Sequence, residues 1–476
     1  MRQFLSSHWI FVFPWALLVT NLVLKGIFLT SEDITPGEAF TIYHAQFNVN
    51  VMIGHLKALN VMPFYSILLH FWIKLFGISP LAVRSLPLII AGFCPSLLYW
   101  ISRRYFSNYV CVTAALLFSG SALLLNYAHE SSSLALSALL AMVSARFYLD
   151  LFSGNGNTMR TALLVIANSA LVYTLYSGWL IVLMQCLHFL FYRKQLIKFS
   201  LVMAALLLIY WPWLIVIFHF FFLPDTPVGP ALPALESLYN WIWALCNQPV
   251  ITMAAIGIFV TGAVLFIARP KFLSLRPQPV FVLGWFGIPY LGLFLASFSL
   301  PVYNSGDLMV AAPGFYLLLA ISLETISKKV WLAAALVLSF AFTHFLDSRK
   351  SPPVKQLVNH VRSAKKPQTV VLGSPYSLML PFSYYYNPDY FSAVNDHLRN
   401  HLTDSLLRAE NIYFIKDPGE YSSFLLRKSP VIVVADTKGG DHALIESLAS
   451  HYASRKVVNL HNTYLLYYME DPADVK

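Results

Sequence analysis

The chain has 476 residues, 58% of them hydrophobic and only 11% charged, against roughly 25% charged in a soluble domain, which excludes a wholly water-soluble globule. Its formal net charge of +10 does not point to nucleic acid, because in a membrane protein basic residues first hold loops on the cytoplasmic side. Cys94, Cys111, Cys186 and Cys246 lie in or beside apolar stretches, which argues against a disulfide framework.

The opening stretch, MRQFLSSHWIFVFPWALLVTNLVLKGIFL, is too long in its apolar part for a signal peptide and lacks a small-residue cleavage site. It predicts a first span over 9–29, with Arg2 inside and Lys25 snorkelling to the outer interface. Further spans are predicted at 83–101, 109–126, 133–151, 160–175, 177–192, 199–222, 250–268, 278–299, 309–325 and 330–346. A span needs about 20 residues to cross roughly 30 Å of hydrocarbon. This set of about eleven puts Arg103 and Arg104, Arg160, the 193–198 cluster, the 269–276 cluster, and Lys328 and Lys329 all inside. An alternative for residues 160–192 is one long tilted helix, which would invert everything downstream and put the terminal domain inside.

Three segments then face the exterior: the loop 30–82, the loop 223–249 with Trp241 and Trp243, and everything from 347. Within the first, PFYSILLHFWIKLF (63–76) is apolar but short and carries His70 and Lys74, which suits a helix lying in the interface. The aromatic residues of the second suit the interface as well. From 350 on, helical patterns alternate with short β-branched runs: VKQLVNHVRSA, TVVLG, YSLMLPFSYYY, NIYFI, EYSSFLLRK, PVIVVAD, ALIESLASHYA, KVVNL and TYLLYYME. That order predicts a C-terminal soluble α/β domain over 347–476, following a transmembrane domain over 1–346. It has no Gly-rich phosphate loop, and the GGD at 439–441 is a lone turn signal.

Several separated stretches resemble the GT-C glycosyltransferases that use polyprenyl-phosphate sugars, the protein O-mannosyltransferase and lipid A aminoarabinose transferase group. PGEAFTIYHA (36–45) resembles the acidic Asp-Glu stretch of that family's first outer loop, and VMPFYSILLHFWIKLFGISPLAVRSLPLIIAG (61–92) its longest shared run. NYAHESSSLAL (126–136), YTLYSGWLIVLMQ (173–185) and PVYNSGDLMVAAP (301–313) follow in the family's order. The resemblance covers 1–345 and, more loosely, the terminal domain. The polar residues are often replaced. The family's Asp-Glu is here Gly37-Glu38, its His-Pro-Pro is Val61-Met62-Pro63, its Glu-Ala-Arg is Glu130-Ser131-Ser132, and its Arg-Tyr is Gly306-Asp307.

The resemblance implies a polytopic α-helical membrane protein in a bacterial or archaeal cytoplasmic (inner) membrane. It would move a sugar from a polyprenyl-phosphate donor to a lipid, glycan or protein hydroxyl on the exterior face. Such a transfer needs a base for the acceptor hydroxyl, and positive charge or a divalent metal ion beside the phosphate leaving group. The family's first-loop Asp is understood to be that base. Gly37 cannot serve, so the expected catalytic carboxylates are Glu38 first and Asp33 second. Arg84 matches the family arginine and is expected at the lipid-linked phosphate. Glu130 with His129, Lys57, and Asp307 as a substitute sugar or metal ligand complete the expected substrate contacts.

Each of these residues also has a plainer reading. The acids can solvate the loop, Glu130 can cap a span, and Arg84, Lys57, His55, His70 and Lys74 can anchor the interface. His44 and His55 lack a metal-ligand spacing. A catalytically inactive relative that binds a lipid-linked sugar or scaffolds a partner would also show missing polar groups. A secondary transporter would show paired repeats and mid-span carboxylates, and neither is evident.

Overall fold

The computed structural model describes residues 2–222, 234–268, 277–298, 305–343, 353–392, 401–415, 430–437, 452, 454–460 and 462–470. In chain order the first helices are α1 (Arg2–Gly26), α2 (Pro36–Ala45), α3 (Val49–Ala58), α4 (Phe64–Phe76), α5 (Pro80–Ser102), α6 (Asn108–Ser119), α7 (Ala122–Ala128) and α8 (Leu134–Phe152). There follow α9 (Thr158–Val172), α10 (Gly178–Tyr192), α11 (Leu196–Phe222), α12 (Glu236–Cys246), α13 (Pro249–Ile267), α14 (Pro277–Ala296), α15 (Ala312–Ile326) and α16 (Val330–Thr343). The remaining helices are α17 (Val354–Ala364), α18 (Met379–Tyr386), α19 (Pro388–Ser392) and α20 (His401–Ala409), and the strands are β1 (Val370–Ser374), β2 (Ile412–Phe414), β3 (Val431–Asp436), β4 (Ser454–Leu460) and β5 (Tyr464–Glu470). The chain forms two compact units: Met1–Leu29, Leu56–Leu68 and Arg84–Arg349 make the first, and Thr30–His55, Leu69–Val83 and Lys350–Lys476 the second.

Among the described residues of the first unit five helices are long and apolar enough to cross a bilayer: α5, α8, Leu196–His219 of α11, α13 and α14. Along α11 and α13 apolar side chains such as Leu208 and Val250 stand exposed, a surface that is stable only in lipid. Phe11–Gly26 of α1 and helices α9, α10, α15 and α16 are apolar but shorter. The expected span 109–126 is broken instead: α6 and α7 meet at a 53° bend.

Gly120 and Ser121 make the break, and a buried side chain from a distant loop satisfies it. Asn247 donates to the Gly120 carbonyl (2.8 Å) and accepts from the Ala122 amide (2.8 Å), while Ser121 Oγ caps α7 on the Leu124 amide. In hydrocarbon a freed backbone group must find such a partner inside the protein. Lys25 supplies another. It does not snorkel: it is 1% exposed and donates to the Ser119 carbonyl at 2.8 Å. A buried amine is tolerated only where a hydrogen-bond acceptor replaces its water, and the end of α6 offers one.

The stretch 160–192 is two helices and not one. Asn168 Nδ2 donates to Gln185 Oε1 at 3.0 Å, so α9 and α10 touch across the 173–177 turn. Ser144 of α8 joins both amides into a buried ring of hydrogen bonds. Trp241 is buried against Leu293 and Leu308 rather than facing an interface, and Trp243 is 39% exposed. Of the loop 223–249, residues 223–233 lie outside the described residues, as do 269–276 and 301–304.

The second unit contains a five-stranded mixed sheet in the order β2-β1-β3-β5-β4. Strand β1 is parallel to β2 and β3, and β5 is antiparallel to β3 and β4. Alternation along β1 sends Val371 to one face and Val370 and Leu372 to the other, as a period of two requires. The first face is covered by Leu357, Val358 and Val361 of α17 and by Phe382 of α18. Gly373 is required in β1, because a Cβ there would meet the Phe414 ring at 2.3 Å. The runs EYSSFLLRK and ALIESLASHYA and the GGD turn lie outside the described residues, apart from Tyr452. Helix α4 exposes Phe71, Leu75 and Phe76, an apolar face suited to an interface.

Candidate active site

Helix α2, in the second unit, starts at a capping box. Thr35 Oγ1 accepts from the Glu38 amide (3.2 Å) and Glu38 Oε2 accepts from the Thr35 amide (3.1 Å). Pro36 occupies the first helical turn, where a missing N–H costs nothing. Glu38 is fully buried, so the carboxylate expected to act as base also holds the entry of its own helix. The pattern Thr-x-x-Glu is a recognised sequence signature of such a start and was open to reading. Asp33 does a related job: its Oδ2 accepts from the Lys355 amide at 2.8 Å, in the first turn of α17, where the helix dipole favours an anion.

Gly37 sits between them on α2 and is exposed. A Cβ built on it meets nothing within 4 Å. His44, at the other end of α2, is 2% exposed; its Nδ1 donates to the Phe40 carbonyl at 2.8 Å, and its Nε2 has no hydrogen-bond partner. Burial lowers its pKa to about 4, so the imidazole is neutral at physiological pH. His70 is buried on the Ala45 carbonyl (2.8 Å).

In the first unit, basic side chains gather at the end of α1. Arg84 is 1% exposed and donates to the Leu29 carbonyl at 3.0 Å. His129 ends α7 and hydrogen-bonds the Lys25 carbonyl through Nε2 at 2.6 Å, and Lys25 itself holds Ser119. Arg84 and His129, both expected at the substrate, are thus brought to the same turn, together with Lys25, which sequence reasoning placed at the interface. Glu130 is half-buried and Lys57 exposed. Ser131 Oγ meets Tyr65 OH at 3.2 Å, tying the Glu130 turn to the start of α4. Val61, at the position of the family's histidine, is half-buried, and its neighbour Met62 packs among Val172, Val182 and Trp213.

Asp307 lies in the 3₁₀ turn Ser305–Val310 and is half-buried. Its carbonyl accepts from Ser177 Oγ at 3.3 Å, and burial lifts its carboxyl pKa to about 7. A carboxyl poised near neutrality can both take and give a proton. Beside it, Gly306 is closed in: an added Cβ would meet Tyr127 Oη at 2.5 Å and Leu134 Cδ1 at 2.6 Å.

No family model and no curated protein matches the sequence. Solved structures do match. ArnT from Cupriavidus metallidurans, a lipid A aminoarabinose transferase, aligns in its apo state with a TM-score of 0.61 at 13% identity, over 97% of this chain and 98% of that one. ArnT bound to undecaprenyl phosphate gives 0.58 at 12% identity, over 97% and 98%. The archaeal oligosaccharyltransferase AglB from Archaeoglobus fulgidus, in complex with an inhibitory peptide and a dolichol-phosphate, gives 0.52 at 12% identity, over 98% of this chain and 75% of that one. This chain has the GT-C fold. The resemblance read from scattered motifs in the sequence therefore extends to the path of nearly the whole chain.

Within that GT-C scaffold, the seven expected site residues divide by unit. Glu38 and Asp33 belong to the second, and Arg84, Glu130, His129, Lys57 and Asp307 to the first. Among the described residues no group of three or more His, Cys, Asp or Glu side chains could hold a metal ion.

Proposed function

We propose that the chain is a membrane glycosyltransferase, moving a sugar from a polyprenyl-phosphate donor to a lipid, glycan or protein hydroxyl on the exterior face of a bacterial or archaeal cytoplasmic membrane. The observation that carries this reading is the GT-C fold, matched over nearly the whole chain to structures holding undecaprenyl phosphate or dolichol-phosphate. In the transfer, the acceptor oxygen bonds to the anomeric carbon, the bond from that carbon to the phosphate oxygen breaks, and polyprenyl phosphate leaves. The acceptor proton goes to a carboxylate, for which Glu38 is the first candidate and Asp33 the second. Arg84 is the cation offered to the phosphate, with His129 as a further hydrogen-bonding group there, and Glu130, Lys57 and Asp307 are candidates for sugar contacts. The second unit, with the segment from 347 on, is assigned to the exterior.

A second reading has its own observation. Glu38 caps α2, Asp33 caps α17, and the position of the family's aspartate is Gly37, so the chain could be an inactive GT-C protein that binds a lipid-linked sugar or scaffolds a partner. Glu38→Gln separates the two cleanly, because glutamine can keep the capping box yet cannot take the proton. Mass spectrometry of envelope glycans, glycolipids and glycoproteins would compare wild type, a deletion and Glu38→Gln. A sugar lost from both the deletion and Glu38→Gln supports catalysis through Glu38. Loss from the deletion alone moves the role to Asp33 or to a scaffold, and no change in either removes the glycosyl-transfer reading.

A further inference from the structure

Charged side chains cluster at the C-terminal end of α8. Residues 101–200 contain seven Lys or Arg but only two acids, Glu130 and Asp150. Asp150, 1% exposed, gathers three guanidiniums. Arg104 Nη1 stands 2.9 Å from its Oδ1, Arg146 pairs with the same oxygen from one turn earlier, and Arg160 Nη1 stands 3.7 Å from Oδ2. Two more cations close in on the loop that follows: Lys194 lies 5.2 Å over the Phe152 ring, and Lys198 Nζ donates to the Gly156 carbonyl at 3.4 Å. Among the described residues, five cations thus surround one carboxylate, a net charge of +4 in one place.

One buried carboxylate cannot neutralise that set, but it does order it. Arg104 is anchored on Asp150 and Arg160 on the Asn155 carbonyl (2.8 Å), while their side chains remain 47% and 38% exposed, so each guanidinium keeps accessible donors for an anion. The chain neighbours of these cations are apolar and open: Met159 next to Arg160, and Phe191 and Ile197 flanking the stretch of Lys194 and Lys198, are 70%, 67% and 78% exposed. Cationic heads directly beside exposed apolar side chains define the boundary between headgroups and acyl chains. A free anion would use only the charge. A phospholipid would use both.

We propose that this patch binds the phosphate headgroup of an anionic phospholipid, with its acyl chains along Phe191 and Ile197. A basic patch that only marked the cytoplasmic side would need the charge but not its convergence on a buried carboxylate. In the orientation proposed above, the patch lies on the face opposite glycosyl transfer, and it does not rest on that activity.

The test is native mass spectrometry of the purified full chain in detergent, titrated with phosphatidylglycerol, phosphatidylcholine and inorganic phosphate, with a melting curve for each variant. Phosphatidylglycerol should be retained at least about a hundredfold better than phosphatidylcholine. At roughly fivefold per surface cation, Arg104→Gln with Arg160→Gln should cut that preference by about twenty- to thirtyfold, Arg146 still pairing with Asp150. If that double variant does not fold, Lys194→Gln with Lys198→Gln leaves the Asp150 pairs intact and should cut the preference by a similar factor. Lys328→Gln with Lys329→Gln, removing exposed charge elsewhere, should leave it unchanged. Equal retention of the two lipids would overturn the proposal. So would an equal loss in the Lys328 and Lys329 control, which would mean unspecific surface charge, and so would displacement of the lipid by millimolar phosphate, which would mean a site for a free anion.

Discussion

Gly37 and Gly306 both stand where the resembling family carries a charged motif side chain, yet their surroundings are opposite. At Gly37 the first turn of α2 is exposed, and an added Cβ meets nothing within 4 Å. At Gly306 the space is filled by Tyr127 and Leu134, 2% and 7% exposed. The difference separates two ways of losing a functional group. Around Gly37 the side chain is gone and its room is kept, so one substitution can restore it. Around Gly306 the neighbours have repacked into the room, and an arginine would have to displace a buried tyrosine ring from a close-packed interior.

The strongest way to break this comparison is Gly306→Arg. Overpacking against Tyr127 should destabilise the protein by about 3 kcal/mol, visible as a large drop in melting temperature in detergent; a variant that melts like wild type would show that the turn is not closed. Protonation offers the next test, because the two regions carry groups shifted in opposite directions. The Asp307 carboxyl is raised from 3.8 to about 7. It stays protonated in the folded protein while the unfolded chain ionises, so its contribution is present at low pH and is lost as pH rises from about 4 to about 7. His44 is lowered from 6.5 to about 4. There the unfolded chain takes up the proton first, so stability is lost as pH falls from about 6.5 towards 4. Melting curves across that window should therefore slope oppositely in the single variants. Asp307→Asn should lose stability only on acidification, and His44→Phe only on the way up; two identical profiles would refute the assignment.

Smaller effects sharpen the α2 side. Thr35→Ala removes the half of the capping box that satisfies the Glu38 amide and should cost about 1 kcal/mol. Gly37→Asp places an acid in the first turn of the helix and removes a flexible glycine, so it should stabilise by about 0.5 kcal/mol. If the glycosyl-transfer reading holds, it should also raise turnover in the envelope assay. A destabilised Gly37→Asp would mean that the space is not open.

Some of the site was legible in the sequence and some was not. The Glu38 cap was legible, since Thr35-Pro36-Gly37-Glu38 carries the capping-box pattern with proline in its place. Asp33 was not, because its partner is a backbone amide at Lys355, and no local pattern announces a bond across that much chain. Arg84 and His129 were identifiable by position in the motif order, but their convergence with Lys25 on one turn depends on how α1, α5 and α7 pack. Lys25 illustrates the limit: a lysine near the end of an apolar run suggests snorkelling, and only the adjacent end of α6 gives it a buried acceptor instead.

By itself the sequence determined that the chain belongs in a membrane and that its motif order is that of the GT-C fold. Both are carried by long apolar runs and separated motifs, whose meaning comes from the bilayer as solvent and needs no knowledge of the partners. Only the tertiary structure decided where the span 109–126 breaks, because the break is tolerated through Asn247, a residue remote in sequence that satisfies the freed backbone of Gly120 and Ala122. It also decided which of two motif glycines has room beside it. That is a property of neighbouring volume, set by side chains such as Tyr127 and Leu134, and a glycine in a sequence is written the same way in either place.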